Sequence, residues 1–97
     1  MALSTRWTPQ AEKGLDSVLL YLEEFWSIKE ILQLEEKIKQ VTRLIILYPE
    51  LFPKSETHQL LHKAIIDKNN YLVYRVNTKR SRIEIVNFRG TKQNPKY

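Results

Sequence analysis

Phe25-Trp26-Ser27-Ile28-Lys29-Glu30-Ile31 separates two helical patterns in the first half of this 97-residue chain. Ser27 and Glu30 have the spacing of a capping box, in which the two side chains satisfy amides that a new helix leaves free. Trp26 and Ile31 flank this cap at the positions of a hydrophobic staple. We therefore expect one helix to end near Phe25 and a second helix to begin directly after Ser27.

Apolar residues recur every three or four positions on both sides of that segment, which is the period of an amphipathic helix. Thr8-Pro9 is a start signal for the first helix, and Pro49 ends the second. The two apolar stripes consist of Ala11, Leu15, Val18, Leu22 and Phe25, then Ile31, Leu34, Ile38, Val41, Ile45 and Tyr48. Because their connection is so short, the two helices are expected to form an antiparallel hairpin.

The period changes after Pro53, where short runs rich in β-branched and aromatic residues alternate with polar turns. Segments 64–66, 71–76 and 83–88 are predicted strands, and their short connections favour antiparallel pairing. Segment 2–7 is a candidate edge strand. The predicted fold class is α+β, with an N-terminal antiparallel helical hairpin packed on a C-terminal antiparallel β-sheet of three or four strands.

Side chains alternate in direction along the middle predicted strand. Leu72 and Tyr74 point to one face and Arg75 to the other, so the helices are expected to cover only the face that carries Leu72 and Tyr74. The length of the chain fits a single domain over residues 1–97.

Composition excludes several classes of protein. The chain has no cysteine, which rules out a disulfide scaffold and thiol catalysis and favours a cytoplasmic location. No apolar run approaches the ~20 residues of a membrane span, so no membrane partner is expected. The net charge is +5, and from Lys68 onward eight basic residues face one acidic residue, Glu84. Such asymmetry is typical of proteins that bind a polyanion or an acidic protein.

Several short motifs resemble the RelE/ParE family of bacterial toxins. The opening Trp7-Thr8-Pro9-Gln10-Ala11 is similar to the start of the family's first helix, and Asn70-Tyr71-Leu72-Val73-Tyr74-Arg75-Val76 is similar to its central strand. Phe88 followed by Thr91-Lys92-Gln93-Asn94-Pro95 resembles its closing phrase. The resemblance spans Trp7 to Pro95. Two departures are Arg89-Gly90, where the family often has Trp-Asp, and Lys92, where it has an arginine.

The resemblance implies a toxin of a type II toxin-antitoxin system, associated with plasmid stabilization and growth inhibition and held inactive in a hetero-oligomer with a cognate antitoxin. Its target is then DNA gyrase, as for ParE-like toxins, or the ribosome with its mRNA, as for RelE-like endoribonucleases. The ending Gln93-Asn94-Pro95 looks like the ParE branch, which favours a gyrase inhibitor that is not an enzyme. A non-toxic module that binds RNA or protein is a further alternative. No cofactor is expected.

Candidate site residues follow from these alternatives. A metal-independent endoribonuclease would use cations to stabilise the phosphate, and the candidates are Lys63, Arg75, Arg89 and Lys92. The candidate target-binding residues are Arg75, Arg80, Arg82, Arg89 and Lys92. The candidate antitoxin-binding residues are Leu20, Leu32 and Leu44, which lie outside the main apolar stripes. His58 and His62 have a metal-ligand spacing, but neither cysteine nor a suitable set of carboxylates completes a site, so no metal is predicted.

Overall fold

A computed structural model describes residues 3–56, 58 and 60–90 of the chain. The elements in chain order are β1 (Ser4–Trp7), α1 (Pro9–Phe25), α2 (Ile28–Leu47), β2 (His62–Asp67), β3 (Asn70–Asn77) and β4 (Arg82–Gly90). The predicted α+β class and the helical hairpin followed by strands are confirmed. Neither helix is long and apolar enough to span a membrane within these described ranges.

The two helices begin at the predicted caps. The Thr8 hydroxyl accepts the N–H of Ala11 at 3.2 Å, and Pro9 occupies the first turn of α1. At the start of α2, the Glu30 carboxylate accepts the backbone N–H of Ser27 at 3.1 Å and also accepts the Ser27 hydroxyl. The hydrogen bond from the Ser27 side chain is the main cause that lowers the pKa of Glu30.

The four strands form one mixed sheet in the order β1-β4-β3-β2. Strands β2, β3 and β4 pair antiparallel, as predicted from their short connections. Strand β1 occupies an edge, as expected for segment 2–7, but it pairs parallel with β4. Its direction depends on a contact between the two ends of the chain, which no local pattern in the sequence encodes.

Strand β4 contains a bulge at Val86. Val73 of β3 pairs with Asn87, whereas the next residue, Tyr74, pairs with Ile85, so Val86 has no partner on β3. Such a residue is left out of the ladder and shifts the side chains that follow it to the other face. Phe88 therefore lies on the same face as Ile85.

The helices cover one face of the sheet, and the core lies between them. The largest fully buried side chains are Tyr74, Phe88, Ile45, Leu72, Ile83 and Ile85. The predicted inward direction of Leu72 and Tyr74 is thus confirmed. Trp7 packs beside the core, with its ring centroid 6.1 Å from that of Phe88.

The two stripes are not buried along their whole length. Phe25 is 63% exposed and Tyr48 is 59% exposed, so their predicted places in the core are wrong. Phe25 is the last residue of α1 and Tyr48 directly follows α2, where the helices end. The Phe25 ring packs instead on Tyr21 of its own helix, with centroids 4.9 Å apart.

Candidate target-binding face

The face of the sheet that the helices leave uncovered is called the open face here. Register places Lys63 beside Val73, which pairs in turn with Asn87, and it places Tyr71 beside Arg89. The open face consists of Arg6 from β1, Lys63 and Ile65 from β2, Tyr71, Val73, Arg75 and Asn77 from β3, and Arg82, Glu84, Asn87 and Arg89 from β4. It therefore carries five cations and one carboxylate.

That carboxylate, Glu84, is the centre of an ion-pair cluster. Its Oε1 accepts the Nε–H of Arg75 at 2.6 Å, and its Oε2 accepts the Nε–H of Arg82 at 2.8 Å. The Nη2 of Arg82 forms an ion pair with the same oxygen, also at 2.8 Å. The Asn77 side-chain amide donates to Oε2 at 3.3 Å. The hydrogen bonds from Arg75, and next those from Arg82, lower the pKa of Glu84 to about 2. The carboxylate is therefore ionised throughout the physiological range.

A second group of side chains lies further along the open face. The ammonium of Lys63 sits over the ring of Tyr71, 4.3 Å from its centroid, which is the geometry of a cation–π contact. Lys63 and Tyr71 line a concave groove between the sheet and the loop before β2, together with Lys54 and Asn87. Arg89, which is exposed, stands beside Tyr71 in the register of the sheet.

His62 lies on the opposite face and has a structural role. Its ring stacks on Tyr74 with centroids 4.9 Å apart, and its Nδ1 lies 2.8 Å from the carbonyl oxygen of Phe52. Tyr74 in turn donates its hydroxyl to the carbonyl of Pro49 at 2.7 Å. These contacts hold the loop after α2 on the sheet. None of the described strands places a histidine on the open face.

Comparison with known proteins depends on structure, since no family model matches the chain and no curated protein matches it significantly. The YoeB/ParE toxin from Agrobacterium tumefaciens superposes with a TM-score of 0.67 at 18% identity, over 91% of this chain and 98% of that one. The chromosomal ParDE system from P. aeruginosa gives 0.73 at 17% identity, over 91% and 95%. A mutant of E. coli RelE gives 0.61 at 15% identity, over 99% and 90%.

This chain has the RelE/ParE fold. The similarity covers nearly the whole length of each of these toxins, so the expectation that the sequence motifs raised is confirmed at the level of the fold. The ParE-type and the RelE-type structures superpose with comparable scores. The overall shape therefore does not separate the two types.

The open face of this RelE/ParE fold brings together four of the six predicted catalytic and target-binding residues. Lys63, Arg75, Arg82 and Arg89 all lie on it, although Arg75 and Arg82 are paired with Glu84. Arg80 is exposed and lies in the turn between β3 and β4, where its backbone N–H donates to the Asn77 side chain at 3.2 Å. Lys92 lies outside the described residues.

Two features of the face were missed by sequence reasoning. One is the role of Glu84, whose signal was its isolation as the sole acidic residue after Lys68. The other is the contact between Lys63 and Tyr71, which becomes visible only when the register of β2 on β3 is known.

The candidate antitoxin-binding leucines of the RelE/ParE fold lie on the helices. Leu20 on α1 is 64% exposed, and on α2 Leu32 is 58% and Leu44 is 40% exposed. Ile28 and Leu47, also on α2, are 73% and 67% exposed. Exposed apolar side chains that form a contiguous patch are typical of surfaces that bind another protein. The assignment of the three leucines to antitoxin binding stays a prediction.

Proposed function

We propose that this chain is the toxin of a bacterial type II toxin-antitoxin module, that a cognate antitoxin neutralises it in the cytoplasm, and that it inhibits DNA gyrase in the manner of ParE. The fold supports the toxin assignment, because relatives over nearly the full length are toxins. Two of the similar structures, ParDE and DinJ-YafQ, are described as toxin-antitoxin systems or complexes, which supports an antitoxin partner.

The cluster around Glu84 is the observation that favours gyrase inhibition over RNA cleavage. A general base works best when its pKa lies near the working pH. Glu84 is the carboxylate of the open face, and its pKa is lowered to about 2 by Arg75 and Arg82, which makes it a weak base. Those arginines are also partly neutralised. Among the described residues, the open face thus offers no carboxylate suited to act as a general base, which supports inhibition by binding.

The alternative is a RelE-like, metal-independent mRNA endoribonuclease acting on the ribosome. The groove that holds Lys63 over the half-buried Tyr71 favours it, because cations beside an accessible aromatic ring are typical of surfaces that bind single-stranded RNA. In that case Lys63, Arg75 and Arg89, together with Lys92, would stabilise the charge that develops on the phosphate.

Induction of the chain in a bacterial host without its antitoxin separates these functions. Growth, mRNA 5′ ends and plasmid supercoiling are measured in the same culture. If the chain inhibits gyrase, growth is expected to stop with altered DNA topology and intact mRNA. The purified protein is then also expected to inhibit supercoiling by purified gyrase. New 5′ ends clustered within translated codons would instead establish the endoribonuclease. Normal growth at a verified level of folded protein would favour a non-toxic binding module.

A further inference from the structure

Three side chains of the open face converge on the carboxylate of Glu84. Arg75 contributes its Nε, Arg82 its Nε and Nη2, and Asn77 its amide, at distances of 2.6 to 3.3 Å. The Glu84 side chain is only 8% exposed, whereas those of Arg75 and Arg82 are 52% and 24% exposed. The anion is therefore enclosed by its donors, which themselves reach the surface.

This arrangement has the chemistry of a receptor for an oxyanion. The planar guanidinium group binds carboxylates and phosphates through the same pairs of N–H donors. Two such groups and an amide provide donors of the kind that a phosphodiester accepts. In this chain the anion they hold is a side chain of the protein. Because Glu84 is ionised at physiological pH, it engages these donors as a charged carboxylate.

The rest of the open face is well suited to nucleic acid. Lys63 and Arg89 flank Tyr71, and Arg6 on β1 stands beside Glu84 in the register of the sheet. Aromatic rings among cations bind single strands without regard to sequence, by stacking on bases and by contacting phosphates. With the two arginines available as well, the open face would present Arg75 and Arg82 to a ligand in addition to the cations beside Tyr71.

We propose that Arg75, Asn77 and Arg82 form an oxyanion receptor, that Glu84 fills it, and that Glu84 thereby restrains the open face from binding the phosphodiesters of single-stranded nucleic acid. A basic protein of this size meets a large excess of RNA in a cell, and non-specific binding would withdraw it from its target. Glu84 reduces that competition. The inference concerns the free chain and does not depend on whether gyrase is the target.

The test compares the wild-type chain with Glu84→Gln, using a fluorescently labelled single-stranded oligouridylate and fluorescence anisotropy over a range of salt concentrations. Glu84→Gln removes the competing charge and keeps the shape of the side chain. Its matched control is Glu36→Gln, which changes the net charge equally at an exposed position on α2 that is remote from the open face.

Glu84→Gln is expected to bind the oligonucleotide about tenfold more tightly than wild type at low salt. Each arginine that gains a phosphate contact steepens the dependence of log affinity on log salt by about 0.7 for a single strand. Glu36→Gln is expected to bind the oligonucleotide with nearly the affinity and salt dependence of the wild type. Equal affinities and equal salt slopes for the two variants would overturn the proposal. The double variant Glu84→Gln/Arg75→Gln is expected to lose part of the gain.

A second comparison leaves Glu84 in place and so does not depend on the folding of Glu84→Gln. Arg75→Gln and Arg89→Gln each remove one positive charge from the open face. Since Glu84 already engages Arg75, Arg75→Gln is expected to weaken oligonucleotide binding less than Arg89→Gln, whose guanidinium is exposed. If Arg75→Gln weakens binding as much as Arg89→Gln or more, Arg75 is not masked and the proposal is wrong.

Discussion

Gly14 of α1 lies against the backbone of Phe88 in β4, so closely that a Cβ atom at Gly14 would be 2.1 Å from the Phe88 carbonyl oxygen. The contact is between two backbones and not with the end of a flexible side chain, so a larger residue can be accommodated only if the helix moves away from the sheet. The fit of α1 onto the sheet therefore depends on the absence of a side chain at Gly14.

Gly14→Ala is expected to lower the free energy of unfolding by about 1–3 kcal/mol, the typical cost of overpacking, although alanine is the better helix former. Chemical denaturation measures the change. Ser17→Ala is the matched control, because Ser17 is exposed on the same helix and the substitution adds no atom in the interior. Equal stability of Gly14→Ala and wild type would show that α1 can shift without cost.

Thr8 joins the start of α1 to the bulge of β4. Its hydroxyl accepts the N–H of Ala11 and donates to the carbonyl of Val86, at 3.2 Å in each case. Thr8→Val keeps the shape of the side chain but loses both hydrogen bonds, so the free energy of unfolding is expected to fall by about 1–2 kcal/mol. Thr8→Ser retains the hydroxyl and is expected to remain closer to wild type in the same denaturation experiment.

The low pKa of Glu84 makes the free energy of unfolding depend on pH in the acid range. Its pKa is about 2 in the folded chain, against 4.5 for an ordinary glutamate, so the unfolded chain binds its proton more readily. The stabilisation is therefore present above pH 4.5 and is lost as the pH falls toward 2. Denaturation of wild type and Glu84→Gln across this range is expected to give a smaller loss of stability in the variant. Parallel curves would contradict the low pKa.

The exposed leucines are expected to contribute to antitoxin binding. Replacing Leu20, Leu32 and Leu44 together with serine removes three apolar contacts from the helices, and affinity for the cognate antitoxin is expected to fall by at least about tenfold. Leu60→Ser is the control, because Leu60 is 75% exposed in the loop before β2, outside the helices. Antitoxin affinity that the triple substitution leaves unchanged would place the antitoxin elsewhere.

The sequence predicts those parts of the fold that depend on neighbouring residues. Thr8 and Ser27 mark the helix starts because a cap acts within a few positions of itself. The parallel pairing of β1 with β4 was not predictable, since it joins Thr5 to Ile83 across most of the chain. The exposure of Phe25 was missed because periodicity does not show where a helix extends beyond the sheet.

In the candidate site, too, the features that depend on neighbouring residues were predictable, and those that depend on strand pairing were not. The alternation of side chains along β3 is a local property, and it assigns Arg75 correctly to the face opposite Leu72 and Tyr74. Whether that arginine is available depends on Glu84, and the two residues become neighbours only through the pairing of β3 with β4. The charge of a segment can therefore be counted from the sequence. How many of its charged side chains are free to bind a ligand depends on strand register.

The bulge at Val86 determines where β4 can change in length. Ile83 and Ile85 face the helices, and strict alternation through Val86 would send Phe88 into water and Arg89 into the core. Val86 is the extra residue, so a chain without it would alternate regularly and would still bury Phe88. Loss of any paired residue would instead reverse the faces of its neighbours. Natural variants with a β4 one residue shorter are therefore expected to lack the residue at this position.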